Sequence, residues 1–262
     1  MGCCCSKTKE DKEQDNELNK RDLRTSGSKG KESVKNAKTN GGANQIDKLG
    51  PKVNTTLAFE SVKVHEKQEI LDSLDDNPND TTAMANYSII LAKEGKMKEA
   101  QDLLTKAIEI DKENSRVWQC YAELYERQNN ITKAQEIYNQ GYKFASPKIA
   151  LGDDDSNLML NYAISLQKSK NYDKAEKLYK RAVTSGPGNP ETAGRYGSFL
   201  LEIREDIDRA SQYLKQAADF TPPHRGWCEY YAKFLKDYEK NDQESTKYQK
   251  RATLYVASPS TD

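Results

Sequence analysis

Apolar residues recur at three- and four-residue intervals along the chain from Leu57 onward. This spacing places them on one face of an α-helix, and the alternation of apolar and polar residues that is typical of a strand does not occur. The first such segment, residues 57–77, is predicted to be a leading helix. It should end at Asn77, because Pro78 disfavours helical backbone in the residue before it. The pattern therefore predicts an all-α protein.

Residues 7–56 lack this periodicity and consist mainly of Lys, Asn, Gly, Ser, Glu and Asp. They contain 12 basic and eight acidic residues, and few large aliphatic side chains. A segment of this composition buries too little apolar surface to offset its conformational entropy. We therefore predict a disordered polar linker over 7–56, with a root-mean-square span on the order of 40 Å. A short disordered tail is expected over 258–262.

Two residue types repeat at nearly the same period in the helical part of the chain. Successive tyrosines of one set are 34, 41, 34 and 35 residues apart, and successive alanines of another are 34, 41 and 35 apart. Self-similarity at this period indicates a solenoid of helix pairs. The two sets are Tyr87, Tyr121, Tyr162, Tyr196 and Tyr231, and Ala100, Ala134, Ala175 and Ala210.

The residues around these markers resemble the tetratricopeptide repeat, whose pattern is W-x2-L-G-x2-Y in a first helix and A-x3-F in a second. The second copy, "WQCYAELY", begins at Trp118 and is followed by Ala134 and Tyr138. The resemblance implies a right-handed superhelical solenoid of about five helix-turn-helix repeats over 78–257. The repeats lie near 81–114, 115–148, 156–189, 190–224 and 225–255.

The 41-residue interval contains a seven-residue insertion, "KIALGDD", which should form a loop between repeats two and three. Directly after it, Asp155 or Ser156 is expected to cap the N-terminus of the next helix. Small residues at the repeat positions should let paired helices approach closely. Tyr125, Tyr138 and Tyr179 should fill the space between neighbouring pairs. Each pair is too small to bury its own apolar face, so stability should depend on the neighbouring repeats.

The resemblance implies that the first helices line a concave surface that binds a peptide or helix of a partner protein. The alternative is that the polar residues on this side form solvated helix faces. The residues expected there are Asn86, Arg116, Gln119, Glu123, Arg127, Asn157, Asn161, Arg195, Glu229, Lys233 and Lys236.

Some members of this family bind chaperones by holding a C-terminal carboxylate with Lys and Asn from one repeat, Asn from the next, and Lys and Arg from a third. In repeats two to four, Asn161 and Arg195 match this arrangement. Gln119, Glu123 and Glu191 replace Lys, Asn and Lys. Two carboxylates would repel an anionic peptide terminus, so a chaperone ligand of this kind is not expected.

The first residues, "MGCCCSK", match the acceptor pattern M-G-x-x-x-[ST] for N-myristoylation of Gly2. One myristoyl chain binds a bilayer only marginally, and a second acyl chain makes binding stable. Cys3, Cys4 and Cys5 are placed to carry S-palmitoyl groups. We therefore expect an anchor at residues 1–6 that holds the protein on the cytoplasmic face of a plasma, endomembrane or ciliary membrane, with a soluble cytosolic pool before palmitoylation.

Charge and composition argue against other classes of function. The 41 basic and 41 acidic residues give no basic excess for binding nucleic acid. The two histidines, His65 and His224, lie in different structural units, and no Cys or His pair has zinc spacing. Cys120 and Cys228 are expected as buried free thiols. The sequence thus predicts a non-enzymatic scaffold without metal or cofactor, and the alternative is a soluble co-chaperone or assembly factor without lipids.

Overall fold

A computed structural model describes residues 62–145 and 153–254 of the chain. All regular structure in these two ranges is helical, which confirms the predicted fold class. The helices are α1 (Lys67–Asp76), α2 (Thr81–Lys93), α3 (Met97–Ile110), α4 (Ser115–Arg127), α5 (Ile131–Ala145), α6 (Asp153–Lys168), α7 (Tyr172–Ser185), α8 (Pro190–Glu202), α9 (Ile207–Asp219), α10 (Arg225–Phe234) and α11 (Asp242–Thr253). None of them is long and apolar enough to cross a membrane.

Helices α2 to α11 form five hairpins, each made of a first and a second helix that pack against each other. The second helix of each hairpin also contacts the first helix of the next one, which gives the expected solenoid. A short π-helical turn, Leu235–Glu239, continues α10. The predicted anchor (1–6), linker (7–56) and tail (258–262), together with most of the loop insertion, lie outside the described residues.

The leading helix is shorter than predicted over its described part. A 3₁₀ turn, Val64–Glu66, comes before α1, and Val62 is not helical. The Val62 side chain is buried against the first hairpin, and its carbonyl accepts a hydrogen bond from Lys93 Nζ at 2.5 Å. Val62 therefore contacts the first hairpin from a non-helical segment. Helix α1 ends at Asp76, just before Asn77, as the following proline predicted.

The first helices begin at side chains that cap them. Asp80 accepts hydrogen bonds from two backbone N–H groups of α2, and Asn114 and Asn189 each accept one from α4 and α8. His224 Nδ1 accepts one from Trp227 N in α10. Such caps satisfy N–H groups that have no partner within the helix. Helix α6 differs: it begins at Asp153, so the expectation that Asp155 or Ser156 caps it is wrong.

Asp155 and Ser156 instead serve contacts between helices from inside the first turn of α6. Asp155 is hydrogen-bonded to the Ser115 hydroxyl at the start of α4. The Ser156 hydroxyl donates to the Ala182 carbonyl of α7 at 3.1 Å. Helix α6 is thereby tied to the hairpin before it and to its own second helix.

The turn inside every hairpin contains one residue with positive φ. In this backbone conformation, the N–H of the following residue reaches a carbonyl near the end of the first helix, at 2.9–3.0 Å. A left-handed conformation costs a residue with a side chain roughly 1–2 kcal/mol, and only the first turn uses glycine. The residues are Gly95, Asn129, Lys170, Glu205 and Lys240.

Small and aromatic residues alternate through the buried interior. The repeating alanines Ala100, Ala134, Ala175 and Ala210 are fully buried. Aromatic rings stack between neighbouring hairpins, Tyr138 on Tyr162 at 5.7 Å and Tyr179 on Tyr196 at 6.2 Å. Tyr125 is only half-buried and packs against the edge of this core. Cys120 and Cys228 are buried free thiols, as predicted.

The joint between the fourth and fifth hairpins depends on a glycine. The indole ring of Trp227 in α10 lies directly against the backbone of α8 at Gly194. A Cβ atom on residue 194 would lie 2.4 Å from the Trp227 ring, closer than any normal carbon contact. Only glycine therefore allows α8 and α10 to pack at this separation.

Gly194→Ala is expected to lower the melting temperature. Overpacking a rigid ring against helix backbone costs about 1–3 kcal/mol, and only part of this is offset by the helix preference of alanine, roughly 1 kcal/mol. Thermal unfolding followed by circular dichroism measures the change. The control is Gly188→Ala, because no atom lies within 4 Å of a Cβ there. Equal melting temperatures for the two variants would contradict this packing.

Candidate protein-binding face

The first helices lie next to one another along one side of the array. Helix α4 contacts both α2 and α6, and α6 also contacts α8. All the residues predicted to bind a partner lie on first helices or, for Lys236, on the π-helical continuation of α10. The side formed by α2, α4, α6, α8 and α10 is called the first-helix face below.

A buried carboxylate joins α4 to α6 on this face. Glu123 Oε1 accepts a hydrogen bond from Gln119 Nε2 at 3.0 Å, one turn earlier on α4. The same oxygen accepts one from Asn161 Nδ2 of α6 at 2.8 Å. Gln119 and Glu123 are fully buried, and Asn161 is 2% exposed. Three residues predicted from separate repeats therefore meet at one contact, which is called the α4–α6 seam below.

The seam continues to a second carboxylate, Glu126, one turn further along α4. Burial raises the pKa of Glu126, and Lys168 and Ser165 of α6 offset part of that rise. The pKa of Tyr138 on α5 is raised well above its usual value by burial, and the nearby charges of Glu126 and Glu123 raise it further. The Tyr138 hydroxyl is therefore near both carboxylates, of which Glu123 is fully buried and Glu126 half-buried.

A different polar cluster joins α8 to α10. Glu191 Oε1 accepts a hydrogen bond from Arg195 Nε at 2.6 Å, and Glu191 Oε2 accepts one from Trp227 Nε1 at 2.9 Å. The Arg195 guanidinium also lies 5.8 Å from the centre of the Trp227 ring. Both charges are buried and paired, so this cluster ties the fourth hairpin to the fifth.

Other predicted residues are accessible to different degrees. Asn86 accepts a hydrogen bond from Arg116 at 3.1 Å, and Asn157 accepts one from Asn189 at 3.0 Å. These pairs are half-buried links between successive repeats. The exposed members are Arg127, Glu229, Lys233 and Lys236.

The alternative that the predicted residues are solvated helix faces is wrong for Gln119, Glu123, Asn161 and Arg195, which are buried and hydrogen-bonded. A carboxylate clamp has hydrogen-bond donors at these positions, whereas Glu123 and Glu191 can only accept. Glu191 pairs with Arg195, the one arginine that matched the clamp.

Sequence reasoning did not single out Glu126, because nothing in the repeat pattern distinguishes it from an exposed helix residue.

Comparison with known proteins agrees with the repeat assignment. The profile of the tetratricopeptide repeat matches residues 91–143. A TPR repeat-containing protein of Dictyostelium discoideum is 49% identical over 203 residues, which are 78% of this chain and 77% of that protein. The chain belongs to the tetratricopeptide-repeat family. The hairpins described above are therefore tetratricopeptide repeats, a fold whose members generally act as protein-binding scaffolds.

Two further similarities are narrower. The protein adenylyltransferase Fic of Aedes aegypti is 35% identical over 65 residues, which are 25% of this chain and 13% of that protein. The crystal structure of BtubC from P. vanneervenii superposes with a TM-score of 0.55 at 15% identity, covering 80% of this chain and 97% of that one. At this identity the superposition shows the tetratricopeptide-repeat fold alone.

Tyr138 and Tyr179 occupy equivalent positions in successive tetratricopeptide repeats but differ in hydrogen bonding. The Tyr179 hydroxyl donates to Gln167 Oε1 at 2.6 Å. The Tyr138 hydroxyl is buried and has no hydrogen-bond partner. Tyr179→Phe should destabilise the protein by about 1–3 kcal/mol, because it leaves a buried acceptor unpaired.

Tyr138→Phe, the matched variant, should be neutral or stabilising, because it removes an unpaired buried hydroxyl. Chemical denaturation of the two variants beside the wild type measures both effects. A loss of stability at position 138 as large as that at 179 would show that the Tyr138 hydroxyl has a partner in solution.

Proposed function

We propose that this protein is a non-enzymatic adaptor that binds a peptide or helix of a partner protein on its first-helix face. The observation that carries the proposal is the α4–α6 seam, where Gln119, Glu123 and Asn161 come together from two repeats. Buried polar groups cost stability unless they are fully paired. On the face that the family uses for ligands, the amide oxygens of Gln119 and Asn161 have no hydrogen-bond partner, which supports a role in recognition.

The comparisons support binding more than catalysis. The Dictyostelium relative, which covers most of the chain, is described by its repeats. The similarity to the adenylyltransferase spans 65 residues and only 13% of that protein, so its activity is not carried over to this chain.

We further propose that N-myristoyl Gly2 and S-palmitoyl groups on Cys3, Cys4 or Cys5 hold this adaptor at the cytoplasmic face of a membrane. The support is the match of "MGCCCS" to the acceptor pattern, together with thiols beside the glycine. A myristoyl chain brings the terminus to the bilayer, and each palmitoyl chain adds about 0.8 kcal/mol per buried CH₂. The adaptor would then present its repeats to partners near that membrane.

Partner binding is tested by photo-crosslinking from the two sides of the array. Benzoylphenylalanine replaces Lys233, which is exposed on α10, or Gln212, which is exposed on the second helix α9. After irradiation of cells that express the full chain, we expect covalent adducts with another protein from position 233 and none from 212. The same adducts from both positions, or adducts from 212 alone, would contradict binding on the first-helix face.

Membrane anchoring is tested by Gly2→Ala. Without the acceptor glycine no myristoyl chain is added, and the thiols no longer reach the bilayer for palmitoylation, so the protein should move from the membrane fraction to the cytosol. The measurements are cell fractionation and incorporation of a clickable myristate analogue. Gly30→Ala, which leaves residues 1–7 unchanged, is the control. Equal membrane fractions for Gly2→Ala and the control would end the anchor proposal.

A further inference from the structure

The first helices α6 and α8 are buried on every side. Ten consecutive residues of α6, Leu158–Gln167, and eleven of α8, Glu191–Leu201, are buried. Ten residues make almost three helical turns, so their side chains point in all directions around the axis. The second helix α9 buries only four of its residues and keeps one side in solvent. The burial of α6 and α8 therefore calls for a cover on the side that faces away from the second helices.

Repeat positions identify the residues on that side. Helix α10 leaves three polar residues exposed there, Glu229, Lys233 and Lys236. The equivalent residues one or two repeats earlier are Leu160, Ile164 and Leu201, and these are at most 6% exposed. The first-helix face is thus apolar and buried on α6 and α8, and it is open to solvent at α10.

The part of the chain that can supply the cover follows from length and position. The structure contains one chain, in which 1–61, 146–152 and 255–262 lie outside the described residues. The loop 146–152 has seven residues between α5 and α6, and 255–262 follows α11 in the fifth hairpin, whose first helix is open. Residues 1–61 lead into Val62, which is held by Lys93 at the end of the first helix α2. Only this part is long enough to cover several first helices.

Apolar side chains concentrate in the last part of residues 1–61, over 46–59, which is called the proximal segment below. Residues 7–45 contain three large aliphatic side chains, whereas these fourteen residues contain five apolar ones, Ile46, Leu49, Val53, Leu57 and Phe59. Fourteen extended residues reach about 46–50 Å. The four first helices from α2 to α8, spaced about 8–10 Å apart, span roughly 30 Å. The proximal segment is therefore long enough and apolar enough to cross them.

We infer that the proximal segment lies across the first-helix face from α2 to α8 and competes with partner proteins for this surface. The inference rests on the proposed function, which makes the face a binding surface. Apolar side chains of the segment cover residues such as Leu160 and Ile164, whose burial removes apolar area from water. A partner first meets the open face at α10 and displaces the segment from the neighbouring α8.

The position of the segment is tested by photo-crosslinking in the purified full chain. Benzoylphenylalanine replaces Leu49, and the crosslinked peptides are identified by mass spectrometry. We expect crosslinks within one chain to α4, α6 or α8. Leu23 is the matched control, because it is also a leucine of the N-terminal part but lies outside the proximal segment. Crosslinks from position 49 to second helices alone, none at all, or the same crosslinks from position 23 would overturn the inference.

The contribution of the segment to stability is tested by making it polar. One full-length variant combines Leu49→Ser, Val53→Ser and Leu57→Ser, which removes apolar contacts with the first-helix face. Its melting temperature should fall by several degrees. The control variant combines the same number of changes outside the segment, Leu18→Ser, Leu23→Ser and Val34→Ser. Equal melting temperatures for the two variants would contradict the packing of this segment on the solenoid.

Competition is tested with the crosslinker at position 233 in cells. Adducts with another protein should increase severalfold in the segment variant, because the competing residues no longer hold the face, and should stay unchanged in the control variant. Partner adducts of equal yield in all three proteins would overturn the competition. Crosslinks from position 49 to the first helices, without partner adducts from position 233 in any variant, would uphold the place of the segment and contradict the proposed function.

Discussion

A hairpin of about thirty residues cannot bury the apolar face that its own sequence creates. In this protein each hairpin therefore depends on the next, and the stacked rings of Tyr138 on Tyr162 and Tyr179 on Tyr196 lie at these joints. The dependence is local, because each repeat contacts mainly its neighbours. A change at one interface between hairpins should weaken that interface first, and the first-helix face is built from the same hairpins.

The interfaces between successive hairpins differ in how completely their buried polar groups are hydrogen-bonded. Between α8 and α10 the charges of Glu191 and Arg195 neutralise each other, and the Trp227 indole N–H donates to the second oxygen of Glu191. Between α4 and α6 the same side of the array holds two carboxylates with amide oxygens that no donor reaches. In a low-dielectric interior, a polar atom without a partner costs more than one that is hydrogen-bonded. The two interfaces of one solenoid therefore differ in how completely their polar atoms are hydrogen-bonded.

The two halves of the proposed function make separate physical demands. Acyl chains at Gly2 and Cys3 to Cys5 would supply membrane affinity without sequence recognition, while the seam would supply recognition without affinity for lipid. Weak partner binding can suffice at a membrane, because anchoring confines both molecules to one surface and raises their effective concentration. A polar seam with modest affinity is therefore compatible with an anchored adaptor.

The apolar spacing and the periodic tyrosines and alanines determined the all-helical solenoid and its number of repeats, because these follow from helix period and side-chain size. The end of α1 before Pro78 was also predictable, because proline disfavours helical backbone in the residue before it. Tertiary contacts decided the rest. Val62 is not helical and packs against the first hairpin. Four of the five positive-φ turns lack the glycine by which a sequence usually marks such a turn; they use Asn129, Lys170, Glu205 and Lys240. Whether Glu123 is a solvated charge or a buried acceptor depends on how closely α6 approaches α4, and that distance is set by packing over several repeats.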